Sequence, residues 1–378
     1  MSTINWAEDH THRSAGWHSE NGTPAPRRVV VADDRTQART AYRLACEGTA
    51  LLWRGDYHNA RQLMQAMSRR IDRKPPRPAG TPAESFHLHR RDRSHRAHVL
   101  GMLLVPLEDD YTVSLRRAPD VRQACHEAYG PPTGPSVVSL RELLGVIGAH
   151  QWRTKGVHVP ALGTRIHPHY GVFAPVRGEY VDLVAHAPLP EAVRQSPGAG
   201  TAFDLGTGTG VLAAVLAGRG IQRVTATDIS PRALACAEEN VHRLGLTGRI
   251  DVIGPCLFPP GRADLVVCNP PWLPARPTSP LEQGVYDPDA TMLHGLLEGL
   301  RAHLTPGGEG WLVLSDLAEH LGLRTRRHLL AAIETAGLRI VDRIDTRPRH
   351  PRAKDTDDPL HTARGAETTS LWRLAPVV

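Results

Sequence analysis

The sequence predicts an α/β fold whose carboxyl-terminal half is a seven-stranded, mostly parallel sheet covered on both faces, and three observations predict it. Short apolar runs alternate regularly with helix-length segments from residue 201 to residue 376. The runs are continuously apolar, as strands buried on both faces require. Glycines and an acid stand where strands give way to helices, the edge of such a sheet at which ligands bind. The amino-terminal portion reads as a mainly helical accessory domain, so two domains are expected in 378 residues.

Residues 1–29 are polar, rich in histidine and broken by Gly and Pro, and read as a flexible arm. The accessory domain is expected over 30–150. Within it, ARTAYRLACEGTALLWRG (38–55) carries apolar residues at helical spacing, and 59–71 continues the pattern after a break at Gly55-Asp56. Four prolines and a glycine make 74–82 a hinge or loop. Residues 86–107 run from basic to apolar, and SVVSLRELLGVIGAHQW (136–152) reads as a helix leading into a second domain over 151–378. There TAFDLG (201–206), RVTATD (223–228), RIDVIG (249–254), ADLVVCNPPW (263–272), GWLVLSD (310–316), LRIVDRID (338–345) and TSLWRLAP (369–376) supply the strands. Helices are expected over 211–220, over 232–245 behind the Ser230-Pro231 start signal, and over 290–303 and 320–337.

Several classes of function fall away. No run of 18 apolar residues exists, so no membrane span is expected, and the first twenty residues lack the apolar core of a secretory signal. Five cysteines without a CxxC pair argue against a disulfide framework and a cysteine zinc site, and point to a cytoplasmic protein with reduced thiols. The histidine pairs His87/His89, His95/His98 and His167/His169 stand in no HExxH pattern, and no metal is expected. Neither GxSxG nor a lysine following the glycines of a phosphate loop occurs. The net charge is +6, with three lysines against 42 arginines, a skew that a G+C-rich coding sequence also produces. Residues 61–96 hold ten Arg or Lys against Asp72, Glu84 and Asp92. That run is either a solvated helix face or a surface for phosphates or an acidic protein.

The chemistry concentrates at the strand ends of the second half. Gly206, Gly208 and Gly210 in AFDLGTGTG allow a tight turn and close backbone approach at a helix N-terminus that offers amide donors. Asp228 follows at the end of the next strand, at the interval of a carboxylate that accepts from ribose hydroxyls. A nicotinamide dinucleotide site shares this logic. Asp204 separates the two, because an ionisable residue inside an apolar strand is costly to bury unless it holds the turn or faces a cationic or amino-bearing ligand. Asn269-Pro270-Pro271-Trp272 ends the fourth strand. Its prolines remove two donors, leaving the Asn269 oxygen and the Pro270 carbonyl as acceptors beside an aromatic face. Such a set suits a planar group bearing N–H₂, whose delocalised lone pair needs orientation more than it needs a strong base.

On these residues the chain resembles the class I, Rossmann-like S-adenosylmethionine-dependent methyltransferases, most of all the (N/D)PP(Y/F/W) amino-group branch. That branch includes the protein-(glutamine-N5) methyltransferases of release factors and the adenine- or guanine-N methyltransferases of RNA and DNA. The resemblance covers roughly 165–345 and extends to GVYDPDATMLHGLLEGLRAHLTPGG (284–308). It implies S-adenosyl-L-methionine as cofactor, with Asp204, Gly206, Thr207, Gly208 and Gly210 around its methionine part. Asp228 then meets the ribose and Ile229 the adenine, Asn269 and Pro270 accept from the substrate amino group, Asn269 also borders the cofactor, and Trp272 stacks. Pro175, Arg177 and Tyr180, in the loop before the first motif, either line the pocket or scaffold a helix start.

Two departures stand out. Cys256 occupies the position where the glutamine methyltransferases carry an acid for the adenine amino group, so backbone groups or Leu257 and Phe258 must meet the adenine. The amino-terminal domain is also longer and more basic than the small substrate-binding domain of those enzymes. The expected acceptor is therefore a planar amide or amino nitrogen of a protein glutamine or an RNA base, recognised through 61–96. A small molecule of specialised metabolism is the alternative acceptor, and a non-catalytic RNA- or protein-binding role on the same fold is the alternative function.

Overall fold

The computed structural model describes residues 2–73, 79–195, 198–349 and 355–377. They form two compact units, one reaching to Gln151 apart from residues 81–83, the other from Trp152 onward. In the amino-terminal unit the chain order is β1 (Ser2–Glu8), β2 (Thr11–His18), β3 (Arg28–Ala32), α1 (Ala38–Cys46), β4 (Thr49–Trp53), α2 (Tyr57–Asp72), α3 (Pro82–Gly101), β5 (Leu103–Leu107), α4 (Arg122–Tyr129), β6 (Ser136–Ser139) and α5 (Leu140–Lys155). The strands make one six-stranded sheet in the order β1-β2-β6-β5-β4-β3.

This unit corrects four expectations. Helix outweighs strand in it, but the helices are built on a six-stranded sheet that was not expected. The expected arm 1–29 contains the hairpin β1–β2, anchored by Ile4 and Trp17, which are 1% and 6% exposed. Its two-residue turn, Asp9-His10, has positive φ at both residues without the glycine that would announce it. The expected helix over 38–55 stops at Gly48, whose φ of 76° ends α1, and the all-buried run Thr49–Trp53 then becomes β4. The expected helix over 136–152 begins instead as β6, four fully buried residues between β2 and β5. Of the basic run, Arg61 and Arg69 on α2, Arg73 at its end, and Arg91 and Arg93 on α3 are exposed, whereas Arg96 pairs with Asp72. Lys74, Arg77 and most of the hinge over 74–82 lie outside the described residues.

The carboxyl-terminal unit opens with a two-stranded hairpin, β7 (Val157–Val159) and β8 (Thr164–Ile166), then α6 (Glu179–His186) and α7 (Glu191–Gln195). Next come β9 (Thr201–Leu205), α8 (Val211–Gly218), β10 (Arg223–Thr227), α9 (Pro231–Arg243), β11 (Ile250–Ile253), β12 (Ala263–Cys268), α10 (Thr291–His303) and β13 (Leu304–Ser315). The chain ends with α11 (Leu317–His320), α12 (Arg326–Thr335), β14 (Leu338–Thr346), α13 (His361–Ala366) and β15 (Thr369–Pro376). The expected helix over 320–337 is thus interrupted between α11 and α12.

The seven strands β9–β15 form one sheet in the order β11-β10-β9-β12-β13-β15-β14, in which only β15 runs antiparallel to its neighbours. Each face carries its own apolar core. One is built with α6 and α8, the other with α10 and α12. Val211–Ala217 of α8 are all buried, so this helix is apolar around its whole circumference. The register pairs Leu205 with Thr227 and with Cys268. Gly206, Asp228 and Asn269 are therefore the next residues out of three adjacent parallel strands, at one edge of the sheet.

Candidate active site at the strand exits

Asp204 is 1% exposed in the middle of the sheet and faces no cation; its Oδ2 accepts from Thr207 Oγ1 at 2.6 Å and from Ala213 N at 2.9 Å. The second bond explains its place. Gly210 is the N-cap of α8 in a left-handed conformation, with φ 79°, and has no side chain to cap with. Asp204, reaching across from β9, satisfies the third amide of the helix instead. Burial pushes its carboxyl up to about 6 against the lowering by Thr207 and Ala213, and the nearby Asp228 adds to the rise.

Asp228 latches two turns at once. Its Oδ2 accepts from Gly208 N at 3.0 Å and its Oδ1 from Ser230 N at 2.9 Å, while burial raises its pKa against these amides. Thr207 N donates to Thr227 O at 2.8 Å, binding the glycine turn to the end of β10. Ser230 and Pro231 start α9 as expected, the Ser230 hydroxyl accepting from Ala233 N. Gly208 has φ 55° and open space where a Cβ would stand, so the turn is bare toward a ligand. Ile229 beside it is 74% exposed, an apolar side chain left in water at the edge where a flat ring would cover it.

Leu257 and Phe258 are half-buried and pack against α10. Phe258 stacks on His303 with ring centres 4.2 Å apart and an interplanar angle of 17°. Leu257 and Phe258 fill notches at Gly295 and Gly299 of α10, where an added Cβ would come within 2.9 and 2.4 Å of them. Both side chains pack against the core that α10 helps to build. The two glycines four apart on α10 were the sequence signal for this packing. Met292 was also missed; its Cε lies where a Cβ on Gly206 would come within 2.4 Å, so α10 closes onto the glycine turn.

At the exit of β12, Trp272 Nε1 donates to Asn269 Oδ1 at 2.8 Å. The Asn269 oxygen therefore keeps one lone pair for a second donor. The segment that follows is fixed by Leu273 N to Val285 O at 3.1 Å and Asp287 N to Leu273 O at 3.0 Å, and Asp287 Oδ2 accepts from Met292 N at 2.7 Å at the start of α10. Tyr180 is buried in the α6–α8 core, and burial raises its hydroxyl pKa. Pro175 is buried, whereas the Arg177 guanidinium lies 5.1 Å over the Trp272 ring. Among the described residues no group of three His, Cys, Asp or Glu could hold a metal ion, and no helix is long and apolar enough to cross a membrane.

Residues 164–334 match the family model described as the methyltransferase small domain. The chain is 35% identical over 164 residues to the release factor glutamine methyltransferase of Cereibacter sphaeroides, a match covering 40% of this chain and 56% of that protein. It is 48% identical over 72 residues to the ribosomal protein L11 methyltransferase of Pelotomaculum thermopropionicum, covering 18% and 23%. It is 38% identical over 116 residues to the ribosomal RNA small subunit methyltransferase C of Alcanivorax borkumensis, covering 30% and 32%. The chain thus spans about half, or less, of the length of these curated relatives. The second unit is similar to the class I S-adenosylmethionine-dependent methyltransferases, and to the protein-glutamine enzymes among them, as its motifs imply.

Proposed function

We propose that this chain is an S-adenosylmethionine-dependent N-methyltransferase whose acceptor is a planar amide nitrogen, the side chain of a protein glutamine. The observation that carries the reading is the convergence of the glycine turn, Asp228 and Asn269-Pro270 on three neighbouring strand ends. The residues present fit the cofactor. A bare turn at Gly208, a carboxyl at Asp228 with lone pairs to spare for ribose hydroxyls, and the exposed Ile229 make a cradle of the right polarity. The likeness to an enzyme named for release factor glutamine supports the acceptor class.

When bound, the cofactor supplies a methyl group already made electrophilic by its sulfonium. The chain's own residues have to hold, aim and dehydrate the acceptor. Asp204 and Thr207 keep the turn in shape, and Asp228 receives the ribose. The free lone pair of Asn269 Oδ1 and the Pro270 carbonyl accept the two amide hydrogens, turning the nitrogen lone pair toward the methyl group. As the nitrogen becomes more positive its N–H groups become stronger donors, so these acceptors favour the transition state over the ground state. Five free cysteines suit a reducing cytoplasm.

A second acceptor class rests on a separate observation. The exposed Arg61, Arg69, Arg73, Arg91 and Arg93 suit a polyanion, and so favour an RNA or an RNA-bound protein. Tritiated methyl transfer into fractionated lysate discriminates. The reading expects label in protein, lost on conversion of side-chain amides to acids. Label in RNA moves the acceptor to a base, and label only in small solutes overturns the macromolecular reading.

A further inference from the structure

Asn269 can serve as an acceptor only in one of its two amide orientations. Its oxygen must face the incoming amino group, because a half-turn of the amide would present N–H₂ to N–H₂. The bond from Trp272 Nε1 to Asn269 Oδ1, at 2.8 Å, fixes that choice, since an indole nitrogen donates and never accepts. A phenylalanine at this position would leave the amide unlatched. The latch is only as firm as the indole ring that makes it.

The ring is held by Arg177, 5.1 Å over its face. Arg177 itself is clamped from two sides. Its Nε donates to Glu179 Oε1 at 2.9 Å and its Nη2 to Glu367 Oε1 at 3.0 Å, and both glutamates are only 2% exposed. Glu367 Oε1 also accepts from Ser315 Oγ at 2.7 Å, and that hydroxyl accepts from Leu317 N at 3.0 Å. Ser315 is the last residue of β13, the strand next to β12. A continuous chain of contacts therefore runs from the end of β13 through Glu367, Arg177 and Trp272 to the Asn269 oxygen. If Arg177 served only to staple the start of α6 to Glu367, its guanidinium carbon would have no reason to lie over the indole. A cation over the ring held by two separate hydrogen bonds from one fork is what arginine offers and lysine does not.

We infer that Arg177 is a positioning residue that fixes the orientation of the Asn269 amide through Trp272. This inference rests on the reading of Asn269 as the acceptor of the substrate amide hydrogens. The structural half is measurable without turnover. In ¹⁵N–¹H spectra of the full chain the seven tryptophans give separate indole signals, and Trp272→Phe identifies that of Trp272. Arg177→Lys, which keeps a cation near the two glutamates, should shift that signal and speed its exchange with water. It should also lower kcat about tenfold, the scale of one lost cation–π contact, with the dissociation constant of S-adenosylmethionine changed less than twofold. Arg177→Lys added to Trp272→Phe should cost little beyond Trp272→Phe alone. Arg177→Met serves as a second variant, with a larger shift of the same signal expected. An unchanged Trp272 signal in both variants, or losses that simply add, would overturn the inference. A shifted signal in a protein that methylates nothing supports the coupling while removing the transferase reading.

Discussion

Each unit buries an aspartate, and the two are treated in opposite ways. Asp56, in the amino-terminal unit, is 1% exposed and caps α2 by accepting from His58 N at 2.8 Å. Its Oδ2 also holds Arg116 Nε at 2.8 Å and Arg117 Nε at 2.6 Å. Arg117 above all, opposed by burial and helped by the His58 amide and Arg116, keeps its carboxyl down at about 2. Asp204, equally buried, is bonded only by a hydroxyl and an amide and is pushed up to about 6. A buried acid with cations on it is a joint. A buried acid without one is a cost, borne here in capping α8 and holding the bare glycine turn.

That contrast predicts opposite dependences on pH. Asp56→Asn should give the larger effect, lowering the melting temperature of its unit by several degrees at pH 7. The sign follows from linkage: a depressed carboxyl stabilises above the unfolded carboxylate range and loses that contribution as pH falls toward 2. The gap between wild type and Asp56→Asn should therefore close on acidification. Asp204→Asn should show a smaller difference that runs the other way. A raised carboxyl favours the fold below its unfolded pKa, and that advantage is lost as pH rises through about 6. The variant should gain on wild type between about pH 4 and pH 6 and keep a constant offset above. Calorimetric melting over pH 3–8 checks both, and parallel profiles for the two variants would erase the distinction. The smallest effect concerns the basic surface. Arg69→Ala with Arg91→Ala should leave melting unchanged and reduce the salt slope of polynucleotide binding by about two, as two lost phosphate contacts require.

The two units also differ in how much of them was legible. In the second unit the central strands β9, β10 and β12 are short runs ended by glycine or an acid or asparagine, so local pattern and final topology agree there. In the first, α1 and β4 are separated only by Glu47 and Gly48, and β6 passes into α5 with no breaker at all. The apolar spacing of such joined segments fits a helix as well as a strand. The hairpin at Asp9-His10 was hidden because its turn uses no glycine. The strand-exit placement of the glycine turn, Asp228 and Asn269 was readable because each motif is local in sequence. The contact of Arg177 with Glu367 spans 190 residues, and no spacing rule reaches that far. The packing of Phe258 was hidden for a related reason, since its partners Gly299 and His303 lie some forty residues on, in α10.

The central claim is that Asp228 belongs to the cofactor and Asn269 to the acceptor. Titration calorimetry of S-adenosylmethionine into wild type, Asp228→Ala and Asn269→Ala, beside a methyl-transfer assay, tests it most directly. The account predicts that Asp228→Ala weakens cofactor binding at least tenfold and retains turnover at saturation within about fivefold. For Asn269→Ala it predicts binding within about threefold of wild type and turnover reduced on the order of a hundredfold. Equal loss of cofactor binding in the two variants would contradict it.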